Sequence, residues 1–156
     1  MTRVDRASRL VRRAPAAVFA AMVDPQALLR WLPPEGMSGR FEHADIRPGG
    51  SYRLVLTYAD ASGRGKASED SDVADVRFVE IVPVERIVQT VDFPSEDAGY
   101  AGTMTMTWEL RPAPDGTLVE LRAEHVPPGI SAADHAVGMA SSLANLAGYV
   151  ESRTGR

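Results

Sequence analysis

Apolar residues change their spacing twice along this chain. They recur every third or fourth position near the start, every second position through the middle, and every third or fourth again at the end. The wider spacing marks one face of a helix, the narrower one face of a strand. Ser8 to Val11 is a short predicted strand. Val18, Phe19, Met22 and Val23 then predict an amphipathic helix over Pro15 to Val23, with Pro15 in the first turn, where its missing N–H costs nothing. Asp24-Pro25 ends that helix and opens a second, Asp24 as cap and Pro25 as first residue. Leu28, Leu29, Trp31 and Leu32 form its apolar side, and Pro33-Pro34 stops it.

From Met37 to Val126 strand follows strand, joined by turn signals. Thr103 to Leu110 alternates most clearly: Met104, Met106, Trp108 and Leu110 share one face, Thr103, Thr105, Thr107 and Glu109 the other. That period gives one buried and one wet side. Pro114-Asp115-Gly116 is a hairpin turn. In its partner strand Val119, Leu121, Ala123 and His125 oppose Glu120, Arg122 and Glu124. Ala44 to Arg53 (ADIRPGGSYR) reads as strand, tight reversal and strand, and Glu80 to Val88 (EIVPVERIV) repeats the scheme with a Pro break. Ala59 to Ser71 is polar and reads as a flexible loop. One long helix closes the chain, about Ala132 to Ser152, with a capping box at Ser131 and Asp134. Ala136, Met139, Ala140, Leu143, Leu146, Ala147 and Val150 are its predicted apolar stripe. The order predicts an α+β domain in which six or seven curved antiparallel strands wrap a C-terminal helix.

Composition narrows the classes. A length of 156 residues suits one domain, the core spanning about 8–152, and a chain of this size buries roughly 68–70% of its unfolded surface without staples. There is no cysteine, which removes disulfides, thiolate metal sites and a Cys nucleophile. Net charge is −4, and the only basic concentration is Arg3, Arg6, Arg9, Arg12 and Arg13, expected to be a solvated tail; a nucleic-acid partner is not expected. The charged start argues against a signal peptide, and no stretch approaches the roughly 18 apolar residues of a membrane span. A cytoplasmic protein is the expectation. Lys66 is the sole lysine among 17 basic residues, a usage expected of a GC-rich bacterium.

The element order resembles the helix-grip, START-like or SRPBCC superfamily, and within it bacterial proteins named after the activator of a heat-shock chaperone ATPase. Four motifs carry the resemblance. Asp45, Ile46 and Arg47 run into Gly49-Gly50 and Tyr52-Arg53. Glu80-Ile81, Pro83 and Glu85-Arg86-Ile87-Val88 lead to Thr90. Gly116-Thr117 follows the hairpin turn, and Gly138, Leu143, Leu146, Tyr149 and Val150 lie along the last helix. Met139 stands where the family usually has Trp, a softer wall that leaves more room. The resemblance implies a hollow between sheet and helix; no cofactor is expected. Eukaryotic activators carry a separate N-terminal chaperone-binding domain, for which this length is not expected to provide.

Inward alternation then supplies a candidate lining for an apolar ligand: Phe41, Tyr52, Leu54, Leu56, Tyr58, Phe78, Val91, Phe93, Met104, Met106, Trp108 and Leu121. Trp31 is expected at one end, with Met139 and Leu143 on the helix side. Ligand pockets are typically about 300–1,000 Å³, mostly apolar, with a few placed polar groups. Gln89 shares parity with Ile87 and Val91, and His125 with Val119 and Leu121, so both are candidates for a ligand's polar end. Phe41, His43 and Asp45 share one face, and a His-Asp pair can orient a proton shuttle.

The three histidines, His43, His125 and His135, are scattered, and no metal-ligand spacing is present. No G-x-S-x-G elbow occurs. Gly63-Arg64-Gly65-Lys66 superficially resembles a phosphate loop but lacks its spacing. The functional expectation is a binding protein for a small apolar or aromatic molecule. A cavity enzyme with cyclase-like or hydrolase-like acid–base chemistry is the alternative, requiring Gln89 or His125 to converge inside. A chaperone-interaction module ranks third and would need a sizeable exposed apolar patch. Exposed strand edges would allow a homodimer.

Overall fold

The structure, a computed structural model, describes residues 3–33, 36–58, 71–93 and 102–152. Of Tyr58, Ser71, Asp72 and Phe93 it describes the strand position alone. The described elements are β1 (Val4–Val11), α1 (Pro15–Val23), α2 (Pro25–Trp31), β2 (Met37–Ala44), β3 (Ser51–Tyr58), β4 (Ser71–Val82), β5 (Arg86–Phe93), β6 (Gly102–Ala113), β7 (Gly116–Glu124) and α3 (Ala132–Ser152). The strands form one antiparallel sheet in the order β1-β7-β6-β5-β4-β3-β2. Five consecutive connections make a meander, and β1 closes the far edge beside β7. The helices α1 and α2 carry the chain from one sheet edge to the other. The first strand is longer than its apolar signal, so Arg6 and Arg9 are exposed strand residues rather than a tail. Residues 59–70, expected as a polar loop and holding the phosphate-loop resemblance, lie outside the described residues.

Local chemistry accounts for the joints. Asp24 caps α2 by accepting from Gln26 N at 3.0 Å. Ser131 Oγ accepts from Asp134 N at 3.0 Å at the start of α3. The 45–50 reversal uses both glycines. Gly49 has φ 80°, and a Cβ on Gly50 would lie 2.1 Å from the Asp45 carbonyl oxygen. That turn docks on β4: Gly49 N donates to Phe78 O and Phe78 N to Gly50 O, each at 2.9 Å. The motif thereby sets the position of Phe78 against Tyr52, two residues past the turn. At the β6–β7 hairpin, Thr117 Oγ1 donates to Arg13 O at 2.7 Å, tying the turn to the entry of α1.

One end of α3 is joined to β1 by His135 and Asp5. At the other end Glu151 accepts from Arg12 N at 2.9 Å through Oε2 and from Arg13 Nη2 at 3.0 Å through its carbonyl. Met139, Leu143, Leu146, Ala147 and Val150 are buried along the helix, but Ala136 and Ala140 are exposed. The stripe is narrower than the spacing suggests, because small side chains at its margin do not reach the core.

Candidate functional site

The buried centre of the domain is aromatic. Trp31 of α2 meets Trp108 of β6 edge to face, with ring centroids 5.8 Å apart and planes at 77°. Tyr52 of β3 lies between Phe41, at 5.2 Å, and Phe78, at 5.8 Å. Such tilted pairs suit the ring quadrupoles. The Trp31 indole donates to Ala21 O at 2.9 Å, satisfying a carbonyl in the last turn of α1 that has no partner within the helix. This bond fixes α2 against α1 and turns the Trp31 ring inward.

A small cavity of about 20 Å³ sits among these rings. Its lining is Met22, Leu28, Trp31, Leu32, Tyr52, Phe78, Ile87, Gln89 and Trp108. No member of that lining carries a formal charge. The expected hollow is thus nearly closed among the described residues: the interlocked rings leave room for about one water. Two polar groups border it. Tyr52, 6% exposed, is one of them. Gln89, half-buried, is the other. Burial raises the Tyr52 pKa well above the ordinary phenol value, so the group stays protonated and donates.

Of the other expected lining residues, Leu54, Met104, Met139 and Leu143 are buried in the same core without bordering the cavity. Val91 and Met106 are half-buried and pack against that core, as does Phe41. The side chains of Tyr58 and Phe93 lie outside the described residues. His125 is a correction. It is exposed with φ 60°, because β7 ends at Glu124 and the chain leaves the sheet through a left-handed residue that breaks the alternation. The His43–Asp45 pairing is also absent. A register shift between Phe41 and His43 exposes both polar residues; His43 Nε2 meets Ser51 Oγ at 3.1 Å, and Asp45 accepts from Arg47 Nε at 2.8 Å.

Sequence reasoning assigned Met22, Leu28 and Leu32 to helix faces without placing them at the cavity. Ile87, now 1% exposed, was signalled by its shared parity with Gln89. Sequence reasoning missed a second cluster altogether. His135 Nδ1 lies 2.7 Å from Asp5 Oδ2, and Arg3 reaches the same carboxylate at 2.9 and 2.8 Å. The Asp5 side chain is 8% exposed. Arg3, and after it His135, holds the Asp5 carboxyl below the usual carboxylate range. Continuing the parity of Val11 back to Asp5 places Asp5 inward, which was the available signal.

A larger groove, about 520 Å³, lies between α1, α2 and the end of α3. Six alanines dominate its lining, and its polar members are engaged elsewhere: Asp24 with Gln26 N, Arg13 with Glu151 O. Size favours this groove, but most of the aromatic wall belongs to the smaller cavity. Among the described residues no cluster of His, Asp and Glu suits a metal ion, and no helix is long and apolar enough to cross a membrane.

The curved sheet, the C-terminal helix and the short helices bridging the sheet edges define an α+β protein of the helix-grip class. The chain belongs to the family of activator of Hsp90 ATPase homolog 1-like proteins, whose model matches residues 12–151. Among solved structures, a protein of Chromobacterium violaceum is 33% identical, with TM-score 0.81 over 96% of this chain and 98% of that one. An AHSA1-like protein from Aeromonas hydrophila shares the fold at 17% identity, TM-score 0.77, over 96% and 92% of the two chains. DynU16, from the dynemicin biosynthetic locus, does so at 20% identity and TM-score 0.70, over 96% of this chain and 47% of its own. No curated protein matches the chain.

Proposed function

We propose that this protein binds a small apolar or aromatic molecule between its sheet and its helices, at the cavity framed by Trp31, Tyr52 and Trp108. The observation that carries this reading is an uncharged, largely aromatic wall around a small void, with the polar residues Tyr52 and Gln89 in its lining. A guest larger than a water needs the wall to move, and α2, held to α1 by the Trp31–Ala21 bond, would shift together with α1. The α2 helix has seven residues, and its Leu28 and Trp31, with the adjoining Leu32, supply three of the nine lining side chains. By contrast α3 is tied down at both ends. The fold likeness to DynU16, a protein of a biosynthetic locus, is in keeping with a metabolite guest.

The enzyme alternative needed an acid–base group inside. His125 faces solvent, and Tyr52 is held protonated by its burial, which supplies a donor rather than a base. The binding reading is therefore preferred. Both tryptophans of the protein line the cavity, so intrinsic fluorescence reports occupancy directly. Titration with a panel of lipids and aromatic metabolites should change that fluorescence saturably. At a hundredfold excess over Kd a true ligand stabilises by about 2.7 kcal/mol, which raises Tm by roughly 5–10 °C. A panel in which no compound changes either signal contradicts the reading.

A further inference from the structure

We propose that the free edge of β1 is a docking strip for an extended acidic polypeptide segment, which pairs with it as an added strand of the sheet. The sheet ends in two edges, β1 and β2. The β2 edge is blunted: its register shifts between Phe41 and His43, and Glu42 balances Arg53 at 2.9 Å and Arg40 at 4.0 Å. The β1 edge has neither device. It keeps one unbroken register with β7 from Val4 to Val11, and residues 4–10 make no backbone bond outside that pairing among the described residues. Every second residue of a strand paired on one side directs its N–H and C=O to the open side.

The charge of this edge selects the partner. Arg3, Arg6, Arg9, Arg12 and Arg13 cluster at β1, although the whole chain carries −4. The one acid among them, Asp5, is taken by Arg3 and His135. Arg6 and Arg9 are exposed and have no ion pair among the described residues. Arg6 is paired in register with Arg122 of β7, whose charge is met by Glu109 and Glu120. Residues three apart on a strand project to opposite faces, so an added strand meets Arg6 and Arg9 with acids three apart. The exposed Val4 and Leu10 lie on either side of Arg6 along its face and suit apolar partners. A second copy of the same edge is disfavoured, since it would bring two arginine sets together. A nucleic acid could use the arginines but cannot extend the sheet.

The test titrates the protein into fluorescein-labelled peptides and follows anisotropy. The probe is TVETVETV, with acids three apart; the controls are TVKTVKTV, the strand-breaking TVETPETV and an eight-nucleotide thymidine oligonucleotide. The acidic peptide should bind the wild type about tenfold tighter than either control peptide, and more weakly as salt rises. The double variant Arg6→Glu, Arg9→Glu should reverse the preference, favouring TVKTVKTV. In a nitrogen–proton spectrum the β1 amides should shift while both indole signals stay in place, which keeps this surface distinct from the interior site. Binding of TVETPETV as tight as that of TVETVETV overturns the proposal, because strand pairing is then not used. An oligonucleotide that binds as well as the acidic peptide overturns it in favour of a phosphate-binding strip. Concentration-dependent shifts of the β1 amides without peptide overturn it in favour of a second copy. If no peptide binds, the arginines only guard the edge against pairing, and the proposal fails. The wild-type comparison decides the matter even if the variant fails to fold.

Discussion

At the scale of single residues, the structure spends its charge on fastening rather than on the cavity. Asp5 shows how. Its carboxylate holds Arg3 on one side and His135 on the other, across 130 positions of sequence. Its pKa in the folded state lies below the unfolded value, so its stabilisation is present above about pH 4 and is lost as pH falls through the folded pKa. Asp5→Asn should therefore cost about 1.5–3 kcal/mol near neutral pH, the range for hydrogen bonds to charged groups. The gap in Tm between wild type and variant should close on acidification below about pH 4. Thermal unfolding from pH 7 to pH 3 checks both statements, and a gap independent of pH contradicts the account. This contact was illegible because the apolar signal of β1 fades before Asp5 and no local pattern links it to His135. The inward setting of Tyr52 and Gln89 was legible, since alternation alone assigns a face. Their place in the lining of one small cavity was not, because it depends on three-dimensional neighbours.

At the scale of elements, turns and caps were readable and strand ends were not. Asp24, Ser131 and the Gly49-Gly50 reversal act as their residue types require. Parity failed where a strand stops or bulges: His125 lies just beyond β7, and His43 follows the irregularity in β2. The β4–β5 turn holds a second irregularity. Val84 has φ 68°, a conformation that costs a β-branched residue roughly 1–2 kcal/mol. It is 38% exposed, so its side chain contributes little packing in return. Val84→Asn should raise stability by about 1 kcal/mol, or Tm by roughly 2–4 °C, because asparagine tolerates this backbone. Differential scanning calorimetry checks it; an unchanged or lower Tm shows that the left-handed valine carries no cost here.

At the scale of the whole molecule, the order of elements determined the architecture. Seven antiparallel strands need their apolar face covered, and one long helix with two short ones covers it. That much follows from periodicity. The size of the interior does not, because it depends on how rings interlock. The same aromatic residues that mark the inward face also close it: Trp31 against Trp108, and Tyr52 between Phe41 and Phe78. The exposed apolar side chains Val4, Leu10, Val79, Val84, Leu118 and Val137 belong to three strands, a turn and α3. Leu10 and Leu118 are paired across β1 and β7. A guest bound in this interior would have to displace the short helices, because α3 is tied down at both ends.

The most direct measurement is a nitrogen–proton correlation spectrum of the protein during titration with 2-acetylnaphthalene. The two tryptophans contribute two indole N–H signals, both from the lining of the cavity. Both should shift saturably together with the amides of α2, while amides at the middle of α3 stay in place. Indole signals that do not move at saturating probe, or shifts confined to the alanine-lined groove beside Tyr149, would contradict an interior site.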